Sequence, residues 1–124
     1  MAETKTIAVV DDDQTIRRAL DDLIRACGHA SALFATAEEF LAYRDRAGID
    51  CIVVDVKMPG MGGIELQSKL NADPPTPPMI FMTSYADDKT RSAAMAGGAF
   101  AFLVKPMEIH RLIDLVHMAL KQKI

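Results

Sequence analysis

The stretch Cys51-Ile52-Val53-Val54-Asp55-Val56-Lys57-Met58-Pro59-Gly60-Met61-Gly62-Gly63 decides how the rest of the chain is read, because an apolar run reaches a single carboxylate and then breaks into a Pro/Gly turn. Ile52, Val53 and Val54 are β-branched with no polar residue among them, as in a strand of a parallel sheet covered on both faces. Pro59 and the glycines forbid its continuation. Asp55 therefore stands at the carboxyl end of a strand, where ligands sit in open α/β sheets. Asp is also a common turn residue, so the stretch alone leaves open whether Asp55 is a reactive group or a turn cap.

Working outward, the same syntax recurs. Upstream, Ile7 to Val10 is an apolar run that stops at Asp11-Asp12-Asp13, followed by Ile16, Leu20, Leu23, Ile24 and Cys27 at helical spacing. Asp13 suits the N-cap of that helix and Gly28 its stop. Ala30 to Phe34 reads as a second strand. Thr36-Ala37-Glu38-Glu39 has the form of a capping box, opening a helix that carries Phe40 and Leu41 and ends near Gly48. Downstream, Ile64 to Leu70 reads as a short helix, and the prolines from Pro74 to Pro78 require a surface connection. Met79 to Met82 is a fourth strand ending at Thr83-Ser84, Asp87 to Ala96 an alanine-rich helix closed by Gly97-Gly98, and Phe100 to Val104 a fifth strand ending at Lys105-Pro106. Ile109, Leu112, Ile113, Val116 and Leu120 then repeat with helical spacing to the end. Strand and helix alternate five times. The expected fold class is α/β, a doubly wound five-stranded parallel sheet with helices on both faces.

The 124 residues, half of them hydrophobic, suffice for one domain and not two, so residues 1–124 are expected to form a single unit. The net charge is −3 and no run of Lys or Arg makes a basic stripe, which argues against nucleic acid as a direct partner. Cys27 and Cys51 lack any CxxC or zinc-like His spacing and are expected to be buried thiols. No apolar stretch approaches a membrane span, and the first residues lack a signal-peptide apolar region. No membrane partner and a cytoplasmic location are expected.

Parallel topology brings four polar strand ends to one edge: Asp11-Asp12, Asp55, Thr83-Ser84 and Lys105. Three carboxylates crowded together resist ionisation unless a cation is present. Oxygen-only donors favour Mg²⁺ (or Mn²⁺), which keeps several waters and needs only one or two carboxylates plus phosphate oxygens. A phosphate fits the remaining positions, with the Thr83 hydroxyl and the Lys105 ammonium each able to hold a phosphoryl oxygen.

In Val10-Asp11-Asp12, Asp55-Val56-Lys57-Met58-Pro59-Gly60, Thr83-Ser84 and Lys105-Pro106, the chain resembles the receiver domain of two-component response regulators from Ile7 to Leu120. The segment Phe34-Ala35-Thr36-Ala37-Glu38-Glu39-Phe40-Leu41 looks most like the FixJ-type branch. The resemblance implies a flavodoxin-like (β/α)5 fold in which Asp55 accepts a phosphoryl group from a phosphohistidine on a sensor histidine kinase. It further implies Mg²⁺ held directly by Asp12 and Asp55, by Asp11 mainly through water, and by the backbone carbonyl of Lys57. Thr83 and Lys105 become the pair that senses the phosphoryl group, Thr83 and Phe102 the switch, and the Lys105-Pro106 peptide cis. The implied activity is that of a phosphorelay signalling domain, not a turnover enzyme, with a phosphorylation-dependent homodimer and transcriptional regulation as output through the fourth helix, fifth strand and last helix. Against the family pattern, Met107 replaces a common Phe, and Gly97 adds a glycine expected to loosen the end of the fourth helix.

A rival reading takes Asp11-Asp12-Asp13-Gln14-Thr15 as the signature of haloacid-dehalogenase-type phosphatases, with Asp11 as nucleophile and Asp13 as general acid. It lacks a later acidic motif at a strand end, since Glu108 and Asp114 fall in the last helical segment. His29, His110 and His117 sit at no strand end and read as surface or interface residues. Met58 and Met61 lie in a turn and are expected to be exposed. Lys57 and Tyr85, two residues beyond Asp55 and Thr83, read either as shields of the phosphoryl group or as solvated loop residues.

Overall fold

Alternation along each strand divides the molecule. In the computed structural model, which describes residues 4–85 and 87–121, Ile7 and Val9 of the first strand enter one apolar cluster while Ala8 and Val10 enter another. Successive strand side chains point to opposite faces, so a run apolar at every position must be covered twice. The elements are β1 (Thr6–Val10), α1 (Gln14–Ala26), β2 (Ala30–Phe34), α2 (Ala37–Ala42), a short 3₁₀ turn (Arg46–Gly48), β3 (Cys51–Asp55), α3 (Gly63–Asn71), β4 (Met79–Thr83), α4 (Asp88–Ala96), β5 (Ala101–Val104) and α5 (Ile109–Lys121). All strand pairs are parallel, in the order β2-β1-β3-β4-β5. The expected doubly wound sheet is therefore present. Residues 1–3, 86 and 122–124 of the expected 1–124 domain lie outside the described residues, and with them the first half of the Met1–Thr6 start.

On one face, Leu20 and Ile24 of α1 and Leu112, Ile113, Val116 and Ala119 of α5 cover β1, β3 and β4. On the other, Phe40 of α2, Leu66 and Leu70 of α3, and Ala94 of α4 cover Ala8, Ile52, Val54 and Phe81. Each fully buried Leu, Ile or Phe contributes about 1.5–3 kcal/mol. Helix α4 carries one buried side chain, Ala94, and so is the least anchored helix on its face.

Local signals account for most boundaries. Asp13 caps α1 by accepting from the amides of Thr15 and Ile16. Thr36 caps α2 by accepting from Glu39 N at 3.0 Å, while the Glu39 carboxylate reaches back to Ala35 N rather than to the cap residue itself. The Pro74-Pro75 and Lys105-Pro106 peptides are cis.

Four expectations are corrected. Helix α2 stops at Ala42, not near Gly48, because Tyr43 turns to extended backbone and sets its ring 5.2 Å from that of Phe34. Cys27 is exposed: it is the C-cap of α1, where the chain leaves the helix before its side chain can face the sheet, while Cys51 is buried as expected. Met58 is buried, folded back from the turn onto the α2/α3 cluster, and Met61 packs partly against the same cluster. Gly97 does not loosen α4. A Cβ there would lie 2.4 Å from Gln67 Oε1, so its absence admits the buried Gln67 side chain, whose Nε2 donates to Ala94 O at 2.9 Å. Asn71 Nδ2 adds a bond to Gly97 O at 2.8 Å, so α3 holds the end of α4 through two side chains.

No histidine ends a strand. His29 and His117 are half-buried with ring centroids 5.6 Å apart, and His110 is exposed.

Candidate functional site

The strand order reverses direction at β1, between β2 on one side and β3 on the other, and the crevice of such a sheet opens where the chain diverges. Asp11 follows β1 and Asp55 ends β3, two neighbouring strands in register from Ile7 opposite Cys51 to Val10 opposite Val54. Thr83 ends β4, adjacent to β3, and Lys105 follows β5. Adjacent parallel strands thus deliver to one edge the residues expected there.

The geometry is specific. One oxygen from each of Asp11, Asp12 and Asp55 lies within 4.8 Å of the others. Lys105 Nζ stands 3.1 Å from Asp11 Oδ2 and 3.1 Å from Asp55 Oδ2. The other oxygens of these two carboxylates are held by backbone, Asp11 Oδ1 by Asp13 N at 2.9 Å and Asp55 Oδ1 by Lys57 N at 3.2 Å. Each carboxylate is therefore oriented from one side by an amide and from the other by the ammonium. Arg17, from the first turns of α1, donates to the carbonyl of Asp11 at 2.7 Å.

Burial sets the electrostatics. Asp11 is fully buried and Asp55 nearly so, whereas Asp12 is exposed. Burial pushes the Asp11 carboxyl above the ordinary carboxylate value against the hydrogen bond from Asp13 N, and the nearby Asp55 charge adds to the rise while Lys105 opposes it. For Lys105, burial works against the charged form, but the hydrogen bond to Asp55 and the charges of Asp11 and Asp55 prevail and hold it above the ordinary lysine value. Three carboxylates against one ammonium leave two formal negative charges in excess. That excess, on oxygen donors alone, suits a hard divalent cation.

Thr83 is buried, and its hydroxyl both donates to Tyr85 O at 2.9 Å and accepts from Tyr85 N at 3.1 Å. Phe102 is also buried, 6.4 Å from the ring of Phe81 and beneath the Arg91 guanidinium at 5.0 Å. Lys57 and Tyr85 are exposed and meet across the β3 and β4 loops, with Lys57 Nζ 4.9 Å from the Tyr85 ring centre. At the base, Gly63 N donates to Val56 O at 2.9 Å, and a Cβ on Gly63 would lie 2.6 Å from the Asp55 carbonyl. Glycine there lets α3 start directly against the end of β3.

The phosphatase alternative finds no support. Asp13 is exposed and engaged as the α1 cap, not turned into the cluster, and Glu108 and Asp114 are exposed near the start of α5 and along it. Arg17, Glu38, Gln67 and Arg91 were not singled out in the sequence. Each acts through a contact that no local pattern announces.

Known proteins resemble this chain in sequence and fold. The sequence matches the response regulator receiver domain family over residues 7–117. It is 37% identical to the transcriptional regulatory protein FixJ of Bradyrhizobium diazoefficiens, over 94% of this chain and 57% of that protein. Nodulation protein W of the same organism is 38% identical, over 93% of this chain and 51% of its own length. The chain thus spans between half and three-fifths of these relatives. Among solved structures, the response regulator StyR superposes with a TM-score of 0.88 at 38% identity, covering 97% of this chain and 61% of that one. The FixJ-N crystal structure superposes with a TM-score of 0.88 at 29% identity, covering 99% and 98%.

Proposed function

Because this chain belongs to the response regulator receiver domain family of two-component signalling, we propose that its Asp55 accepts a phosphoryl group from a phosphohistidine of a sensor histidine kinase. The observation that carries the reading is the pair of 3.1 Å contacts from Lys105 to Asp11 and Asp55, which hold a carboxylate oxygen and a cation together at the mouth of the sheet. In the transfer, an Asp55 oxygen forms the bond to phosphorus while the phosphorus–nitrogen bond breaks, and its electron pair stays on the kinase imidazole. Lys105 then pairs with a phosphoryl oxygen. Thr83 turns its hydroxyl to another, giving up both its bonds to the Tyr85 backbone.

The carboxylates of Asp11, Asp12 and Asp55, with the backbone carbonyl of Lys57, would hold Mg²⁺ or Mn²⁺. When bound, the ion neutralises charge on the transferred group. The domain assists its own phosphorylation and dephosphorylation and turns over no separate substrate. Residues 1–124 act as one receiver unit in the cytoplasm, contacting neither membrane nor nucleic acid. Among the described residues, no helix is long and apolar enough to cross a membrane.

Output runs through α4, β5 and α5, which carry the exposed Met95, Val104 and Met118 and, on β5, the buried Phe102. A second phosphorylated copy docks there, and the dimer serves transcriptional regulation. Incubation with acetyl phosphate and Mg²⁺ is expected to add one phosphoryl group per chain, mapped to Asp55 and lost in Asp55→Asn. Labelling that survives that substitution overturns the assignment. Sedimentation of the labelled sample should show dimer where the unlabelled one shows monomer, and identical profiles sink the dimer.

A further inference from the structure

Two consecutive glutamates in the first turn of α2 divide their work. Glu39 turns back to Ala35 N, whereas Glu38 reaches across to the β3–α3 loop, where its Oε2 accepts from Met61 N at 3.1 Å. The same oxygen lies where a Cβ of Gly60 would stand, 2.7 Å away, and Gly60 has φ +76°. A helix N-terminus favours a carboxylate, and α2 is itself fixed by its Thr36 cap and the buried Phe40. Glu38 is thus an exposed carboxylate on an anchored helix, beside a loop that bends sharply against it.

We propose that Glu38 is a positioning residue for cation binding, fixing the β3–α3 loop that carries Lys57, whose carbonyl the proposed site would use beside the Asp11, Asp12 and Asp55 carboxylates. The inference rests on the metal reading above. Lys57 contributes a backbone oxygen, and a backbone ligand cannot be re-aimed by a rotamer change, so its direction is set wholly by how the loop is pinned. The loop is tied at its start by Val56 N to Met82 O at 2.8 Å and at its end by Gly63 N to Val56 O at 2.9 Å. Between these ties, burial of Met58 holds it from beneath and Glu38 holds it from the side. Loss of the Glu38 contact returns the Met61 amide to water and frees the bend at Gly60. Partners that orient metal ligands commonly change affinity tenfold or more, and an exposed carboxylate acting on one backbone ligand falls below that.

The test uses the unphosphorylated protein and the metal alone. Free Mn²⁺ is followed by electron paramagnetic resonance during titration, with Mg²⁺ as competitor. Glu38→Ala is expected to weaken both ions by roughly three- to tenfold and to speed hydrogen exchange at the Met61 amide. Glu38→Gln keeps an acceptor for Met61 N and should restore the affinity. Equal affinity in Glu38→Ala and the parent overturns the proposal, as does a Glu38→Gln variant as weak as Glu38→Ala, which would trace the effect to charge instead of position. A parent that binds neither ion refutes the metal reading itself, an outcome distinct from either.

Discussion

Replacing Lys105 with Met keeps the stem and removes the ammonium that stands 3.1 Å from both Asp11 and Asp55. The loss can be bounded. Breaking a fully buried ion pair by removing one partner costs about 3–5 kcal/mol, because a charge is left uncompensated. Here the Lys105 side chain keeps 14% of its exposure and that of Asp55 10%, so water screens part of the loss, while Asp11 keeps none. We expect about 2 kcal/mol at pH 7.5 in EDTA, or roughly 6–10 °C in melting temperature for a domain of this size. The pH dependence has a definite sign. The Asp11 carboxyl already lies above its ordinary 3.8, so the folded state binds a proton that the unfolded chain has released, and stability falls as pH rises from 3.8 through the folded value. Without Lys105 opposing it, that carboxyl rises further and the window widens, so the deficit should grow as pH rises above 3.8. Lys105 itself, held above 10.5, contributes fully below that value and loses its contribution only as pH rises beyond it, so it adds no slope in this range. Saturating Mg²⁺ should recover more stability in the variant than in the parent, about 2.7 kcal/mol being available at a hundredfold excess over Kd. Urea unfolding at several pH values measures all of this. A variant within about 0.5 kcal/mol of the parent in EDTA would refute the account, since surface substitutions without a buried partner fall in that range.

Two further predictions concern the flank of the cleft and the packing of α3 on α4. Tyr85→Ala and Lys57→Ala each remove half of the cation–π contact across the cleft and should speed loss of the phosphoryl group by roughly two- to tenfold, about 0.4–1.4 kcal/mol in barrier height, read from decay of the labelled protein with Mg²⁺ saturating. Decay unchanged in both would show that water reaches Asp55 regardless. Gly97→Ala drives a methyl into Gln67 and should destabilise by about 1–3 kcal/mol in thermal or urea unfolding, with Gln67→Ala in the same chain removing most of the added cost.

What the sequence made legible follows from range. Strands stop where an apolar run meets Asp11, Asp55, Thr83 or Lys105, and parallel order then carries these residues to one edge, so the site could be assembled from local patterns. Asp13 and Thr36 were readable as caps because capping is settled within three residues. Cys27 misled because it continues the helical spacing from Ile24 one residue past the end of α1, where the backbone has already turned. Met58 misled because a turn position says nothing of which way a long, flexible side chain folds back. Glu38 to Met61 and Gln67 to Ala94 join residues 23 and 27 apart in sequence, and the Arg91–Phe102 contact joins a helix to a strand. Such pairings appear only once the layers are stacked.

The arrangement of Thr83 and Phe102 bears on dosage. Phe102 lies inward under Arg91 while the Thr83 hydroxyl remains on the Tyr85 backbone, so on the proposed reading one half of the switch is set before any phosphoryl group arrives. What holds the other half back is two neutral hydrogen bonds, each worth about 1 kcal/mol net. A gap of about 2 kcal/mol is a bias of roughly thirtyfold, which leaves about 3% of unphosphorylated molecules in the signalling arrangement. Phosphorylation then multiplies output by no more than about that factor, and a cell making thirty times as much of the protein would reach the same active concentration with no kinase at all.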